Sequence, residues 1–238
     1  MDEIFPATRN SLLGRAIEGD MEALSILVGR YRPAIEVLVH GRGFGRPDKG
    51  PEDLVSEILA EICTPTRIQA WSADKGRFRQ WVCGITRNMI NEEFRRHGAK
   101  KRGSGFTPLG AEVLETVPSE ELGQDEAFDF AWATRTVEMA KDQVRSEWEE
   151  KGEGEAFEQL LPSAMDGVYA EKKQRALAQE LGRPEGTIAG LVIKLRNAIF
   201  DACLIVVSET CGTAKEAKEE FRHLMACLEA ASKKRPRN

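Results

Sequence analysis

The chain has 238 residues, enough for two modest helical cores or one large one, with 41% hydrophobic and 31% charged residues, an ordinary globular balance. No apolar run approaches the ~20 residues that a bilayer span needs. The acidic opening Met1-Asp2-Glu3 lacks the basic-then-apolar layout of a secretory signal, so a cytoplasmic location away from membranes is expected.

The net charge of −5 argues against uniform nucleic-acid binding, but its distribution points the other way. Residues 9–106 carry 17 Lys/Arg against 12 Asp/Glu, whereas 107–160 carry 4 against 15. A basic front and an acidic middle suit a protein whose polyanion contacts are confined to particular faces.

In chain order, a short helix is expected over about 9–18, stopped by Gly19 and followed by Asp20 as N-cap. A long helix follows, with Leu24, Leu27, Val28, Tyr31, Ile35, Leu38 and Val39 as a one-faced stripe and Pro33 as a kink inside it. The glycine-rich stretch 40–50 breaks the pattern. Pro51, Glu52 and Asp53 then open a third helix with Leu54, Val55, Ile58, Leu59 and Ile62 on its buried face. A fourth spans about 77–96, with Phe78, Trp81, Val82, Ile85, Met89 and Phe94 in register, and ends on cations and Gly98. Residues 99–124 read as an acidic, flexible linker rich in glycine and proline. Helical periodicity resumes at Phe128, Trp132, Val137, Val144 and Trp148, then at Phe157, Leu160 and Leu161. A helical segment over 173–207 follows. A last amphipathic helix over 214–231, with Phe221, Leu224, Met225 and Leu228 on one side, is expected to cover the preceding domain. A basic tail ends the chain.

The five cysteines form no CxxC pair, and none of the three histidines is read as standing at ligand spacing from one. Reduced, partly buried thiols are therefore expected, with no metal and no cofactor. No GxGxxG or Walker loop, HExxH, or Ser/His/Asp or Cys/His pairing points to an enzyme.

Within 177–188, Ala178, Gly182 and Ile188 have helix-turn-helix spacing. Two helices cross closely only over a small residue, the turn wants a residue that tolerates positive φ, and the second helix plugs the core with an aliphatic. Gly186 and Thr187 open that second helix, where free N–H groups can hold a phosphate, with Arg183, Lys194 and Arg196 nearby as cations. An ordinary helical hairpin shares this logic.

Three blocks in the front half raise the specificity. Gly19-Asp20-Met21-Glu22-Ala23-Leu24 with Arg30-Tyr31-Arg32-Pro33, then Pro51-Glu52-Asp53-Leu54-Val55-Ser56-Glu57, then Lys75-Gly76-Arg77-Phe78-Arg79-Gln80-Trp81-Val82 with Ile85-Thr86-Arg87-Asn88 and Arg95-Arg96, occur in order. Together with the helix-turn-helix, they resemble the extracytoplasmic-function (group 4) RNA polymerase sigma factors. The similarity extends to a subgroup with a helical insert before the motif (Glu147-Trp148-Glu149-Glu150-Lys151-Gly152, Phe157-Glu158) and an extra C-terminal helix (Glu220-Phe221-Arg222-His223-Leu224).

The resemblance implies an all-α protein: a region 2-like domain over 9–98, a linker over 99–124, a region 4-like domain over 125–207 and a C-terminal extension over 208–238. It implies core RNA polymerase and promoter DNA as partners and leaves open an anti-sigma factor. Glu52, Asp53, Leu54, Ser56 and Glu57 would meet the polymerase β′ clamp. Arg77, Phe78, Arg79, Arg87, Asn88, Asn91, Arg95 and Arg96 would meet the −10 element, and Arg183, Gly186, Thr187, Lys194 and Arg196 the −35 element. For Phe78 and Trp81 the stripe itself favours plain core packing. Ser56 stands where the family usually has glutamine, and Ala189-Gly190 where it often has polar or cationic residues. The acidic stretch 112–126 is expected to shield basic DNA-binding faces until polymerase binds. Two further readings are a helix-turn-helix regulator acting without polymerase and a sigma-like interaction protein with reduced promoter binding.

Overall fold

The computed structural model describes residues 11–44, 49–71, 76–100, 123–165 and 171–234, which form eleven helices and no strand. The expected fold class, all-α, is the observed one. No helix among these residues is long and apolar enough to cross a membrane. Most of the linker, residues 101–122, and with it nearly all of the proposed shielding stretch, lies outside the described residues.

The helices group into two compact units. One comprises the residues up to Arg135 together with those from Val207 onward; the other is Thr136–Val206.

In the first unit, Ser11 caps α1 (Leu12–Ile17) by accepting from the Gly14 N–H at 3.0 Å. Gly19 reverses the chain at φ +100°, and Asp20 caps α2 (Met21–Gly29) through the Ala23 N–H at 2.9 Å. The expected long helix is two: α2 ends at Gly29, and α3 (Arg32–Gly41) starts afresh with Pro33 in its first turn. A continuous helix would have pressed the Pro33 ring against the Gly29 carbonyl and lost a hydrogen bond; a first turn has no partner for that N–H anyway. The apolar stripe survives the break: Leu24, Leu27, Val28, Tyr31, Ile35, Leu38 and Val39 are all buried.

Helix α4 (Pro51–Ile62) starts at the expected proline, and Asp53 accepts from the Gly50 N–H at 2.8 Å. A six-residue helix, α5 (Pro65–Ala70), was not expected; it buries only Ile68, too little for a periodic signal. Helix α6 (Phe78–Lys100) carries Phe78, Val82 and Ile90 into the core. The start of α7 (Gln124–Glu150) adds Phe128 and Trp132, and α11 (Ala214–Lys234) adds Phe221 and Leu224. The unit thus takes in α11 together with the front helices. Helix α11 groups with the front half, and its buried polar residue, Glu220, finds its counter-ions on α6.

The second unit holds the rest of α7, α8 (Gly154–Met165), α9 (Glu171–Glu180) and most of α10 (Glu185–Ser208). Trp148 and Phe157 meet edge-on at 6.2 Å, with Leu160, Leu177, Ile188, Val192 and Leu195 buried in the same unit. Gly152 at φ +72° ends α7. The helix-turn-helix residues take their expected parts: Ala178 is buried, Gly182 sits at φ +60° between α9 and α10, and Ile188 is fully buried.

Candidate nucleic-acid interface

The sequence-selected residues of α6 divide sharply by environment. Phe78 is 1% exposed, and its ring lies 5.2–5.8 Å from those of Trp81, Tyr31 and Trp71. It is the hub of an aromatic cluster, where each well-oriented pair adds about 0.5–1.5 kcal/mol. The assignment of Phe78 to −10 contact therefore gives way to core packing: its faces are already occupied.

Arg79 is also buried. Its Nε donates to Glu220 Oε2 at 2.9 Å, another guanidinium nitrogen bonds Asp129, and its plane lies 5.1 Å from the Trp132 ring. Burial alone would pull this guanidinium down, but Glu220 and Asp129 more than offset it and hold the charge in place. Glu220 mirrors this: burial pushes its carboxyl up, and the hydrogen bonds from Arg79 and Arg77 bring it below the ordinary glutamate value. A group so enclosed is structural in this conformation, which corrects the expectation that Arg79 reads DNA.

Arg77 is half-exposed, and its two terminal nitrogens go to Glu219, at 3.0 Å, and Glu220. Arg87 is exposed and donates to both Asp125 oxygens, at 2.5 and 2.7 Å. Asn88 is exposed. Asn91 accepts from Arg42 at 3.2 Å, Arg95 donates to the Asn91 carbonyl, and Arg96 holds Glu92 and Glu93. Arg77, Cys83, Arg87, Asp125, Asp129 and His223 line one cavity of about 510 Å³.

On α4, Glu52, Asp53, Ser56 and Glu57 share the exposed face. Glu52 pairs with Arg32 and His40, and Glu57 with Lys49 at 2.5 Å. Leu54 is fully buried on the opposite side, so the expectation of a direct partner contact fails for it: its side chain belongs to the core.

In the second unit, Gly186 and Thr187 are exposed on the first turn of α10; the Thr187 N–H donates to the Pro184 carbonyl at 2.9 Å, and the positive end of the helix suits a phosphate. Arg183 donates to Glu153 at 3.4 Å, and the Lys194 ammonium lies 5.8 Å from the Trp148 ring. Arg196 is engaged otherwise, its guanidinium donating to the carbonyls of Ala164, at 2.9 Å, and Ser163, at 3.2 Å, in the last turn of α8. A cation on a helix C-terminus satisfies orphan carbonyls and the helix dipole, so Arg196 is corrected from a DNA contact to a cap.

Sequence reasoning missed Glu220 and the trio Asp129, His223 and Cys227. Glu220 is one more acidic residue in a charged helix. Its only sequence signal is its place one residue before Phe221, at the edge of the apolar stripe. His223 and Cys227, four apart on α11, do share a helix face, which the expectation of no ligand spacing overlooked.

Comparison with protein-family models, with curated proteins and with solved structures finds no match.

Proposed function

We propose that the chain is an alternative sigma factor, a non-enzymatic subunit that binds core RNA polymerase and directs promoter recognition and opening. The observation that carries this reading is the helix-turn-helix itself: a buried Ala178, a left-handed Gly182 and a buried Ile188, with the first turn of α10 left exposed. The exposed acidic face of α4 supports the polymerase contact. Glu52, Asp53, Ser56 and Glu57 would meet cationic side chains of the clamp, without Leu54.

Magnitudes sort the α6 arginines. The Arg87–Asp125 pair is exposed, and such pairs contribute about 0–1 kcal/mol, so a DNA phosphate can replace the carboxylate cheaply. Freeing Arg79 means breaking a buried pair, a loss of about 3–5 kcal/mol. The −10 surface is therefore drawn from Arg77, Arg87, Asn88, Asn91, Arg95 and Arg96, with Phe78 and Arg79 beneath it. On the −35 side, Arg183, Gly186, Thr187 and Lys194 remain available.

The carboxylates set against Arg77, Arg79 and Arg87 favour a second reading, a sigma-like interaction protein with reduced promoter binding. Reconstitution with core RNA polymerase and a genomic promoter pool, reading transcript starts, separates the two. Defined starts support the sigma factor; polymerase binding without starts supports the second reading, and neither refutes both. Asp53→Asn is the sharpest variant, since it removes the charge while its side-chain oxygen still accepts from Gly50. It is expected to weaken polymerase binding at least about tenfold, the loss of roughly 1.4 kcal/mol, at unchanged helical content. Wild-type affinity would refute the docking assignment.

A further inference from the structure

We infer that Asp129, His223 and Cys227 form a binding site for a divalent transition-metal ion of the zinc class, fastening α11 to the start of α7. Their donor atoms lie within 4.8 Å of one another, although the chain separates Asp129 from His223 by 94 residues. His223 Nε2 is 2.7 Å from Asp129 Oδ2 and 3.4 Å from Cys227 Sγ. Tetrahedral zinc, with bonds near 2.0–2.3 Å, holds neighbouring donors roughly 3.3–3.6 Å apart. The sulfur is already at that spacing, and the carboxylate needs to move by about half an ångström. Both sets of residues belong to the first unit.

Three features favour an ion over a hydrogen-bond network. First, one imidazole nitrogen faces both the carboxylate and the sulfur. It carries either one proton or one lone pair and so serves the carboxylate or the thiol but not both, whereas a cation takes all three donors together. Second, the nearby carboxylates of Asp129, Glu219 and Glu220 outnumber the guanidiniums of Arg77 and Arg79, and the oxygen turned toward His223 is the one Arg79 leaves free. Third, the nitrogen, sulfur and oxygen donor set is one that zinc accepts and that magnesium and calcium do not. Asp129 and His223 also line the 510 Å³ cavity, which leaves room for a fourth ligand from solvent. On binding, the Cys227 proton passes to solvent as the metal–sulfur bond forms. The site stands independently of the transcriptional reading.

The test is titration of the full-length, reduced, chelator-treated chain with Co²⁺ as a spectroscopic probe, followed by Zn²⁺. Expected are one equivalent bound, a thiolate-to-cobalt charge-transfer band, and loss of that band when Zn²⁺ displaces the probe. Cys227→Ser should abolish the band, His223→Ala should weaken binding at least about tenfold, and Cys63→Ser, which lies outside both the trio and the cavity lining, should leave both unchanged. Helical content by circular dichroism checks that each variant is folded. A folded wild-type chain without the band overturns the site whatever the variants do, and so does a band that survives in Cys227→Ser.

Discussion

Glu220 is the most consequential single position in the first unit. Its side chain is 3% exposed, that of Arg79 is 6% exposed, and Arg77 also depends on it. Glu220→Ala removes a buried anion while leaving a buried cation behind, a class of change that costs about 3–5 kcal/mol. The lower end applies, because Asp129 still neutralises one end of Arg79 and Glu219 still holds Arg77. About 3 kcal/mol in a chain of this size corresponds to a fall in Tm of roughly 6–12 °C. Thermal unfolding by circular dichroism and calorimetry measures it. The double variant Arg79→Met/Glu220→Leu should recover more than half of the loss, since apolar side chains of similar volume replace buried ion pairs at little cost. A fall of only a degree or two in Glu220→Ala, or a double variant as unstable as the sum of its singles, would refute the view of Glu220 as a buried counter-ion.

Three further outcomes are expected. Because the Glu220 carboxyl is held below its ordinary value of 4.5, its contribution is complete above that pH and is lost as pH falls through the lowered value. Melting curves of wild type and Glu220→Gln should therefore converge on acidification below pH 4.5; a constant gap would contradict this. Gly182→Ala should destabilise the second unit by about 1–2 kcal/mol and Gly182→Asn by less. Nothing lies within 4 Å of an added Cβ, and the cost is that of left-handed backbone alone; equal losses in denaturant melts would point elsewhere. Arg196→Ala should cost about 1–2 kcal/mol by orphaning the Ser163 and Ala164 carbonyls of α8 and, on the proposed function, should not change the salt dependence of DNA binding. A shallower salt slope would restore Arg196 as a phosphate contact.

The helical class and most element starts were legible because proline, glycine and N-cap residues punctuate a strong apolar periodicity. Gly19-Asp20, Pro51 and Gly182 are the clearest cases. Periodicity could not reveal the break at Gly29, since α2 and α3 keep one stripe across it, nor α5, which buries a single side chain. Identity of environment was harder. Phe78 and Arg79 are adjacent in a basic, aromatic segment typical of a strand-binding surface, yet burial removes both from solvent. For Phe78 the apolar stripe already favoured core packing, and its aromatic neighbours Tyr31, Trp71 and Trp81 complete it; for Arg79 what decides is Glu220, 141 residues away, and no local pattern carries that pairing. Arg196 is likewise explained only by where α8 ends.

Arg77 and Arg79 of the first unit draw carboxylates from α11, far along the chain, and this sets an order on its assembly in time. At a synthesis rate of about 5–20 residues per second, Glu220 follows Arg79 from the ribosome by roughly 7–28 s. Throughout that interval Arg77 lacks both Glu219 and Glu220, while Arg79 gains Asp129 but not Glu220, so Arg77 above all is open to a polyanion nearby. Arrival of α11 closes that interval.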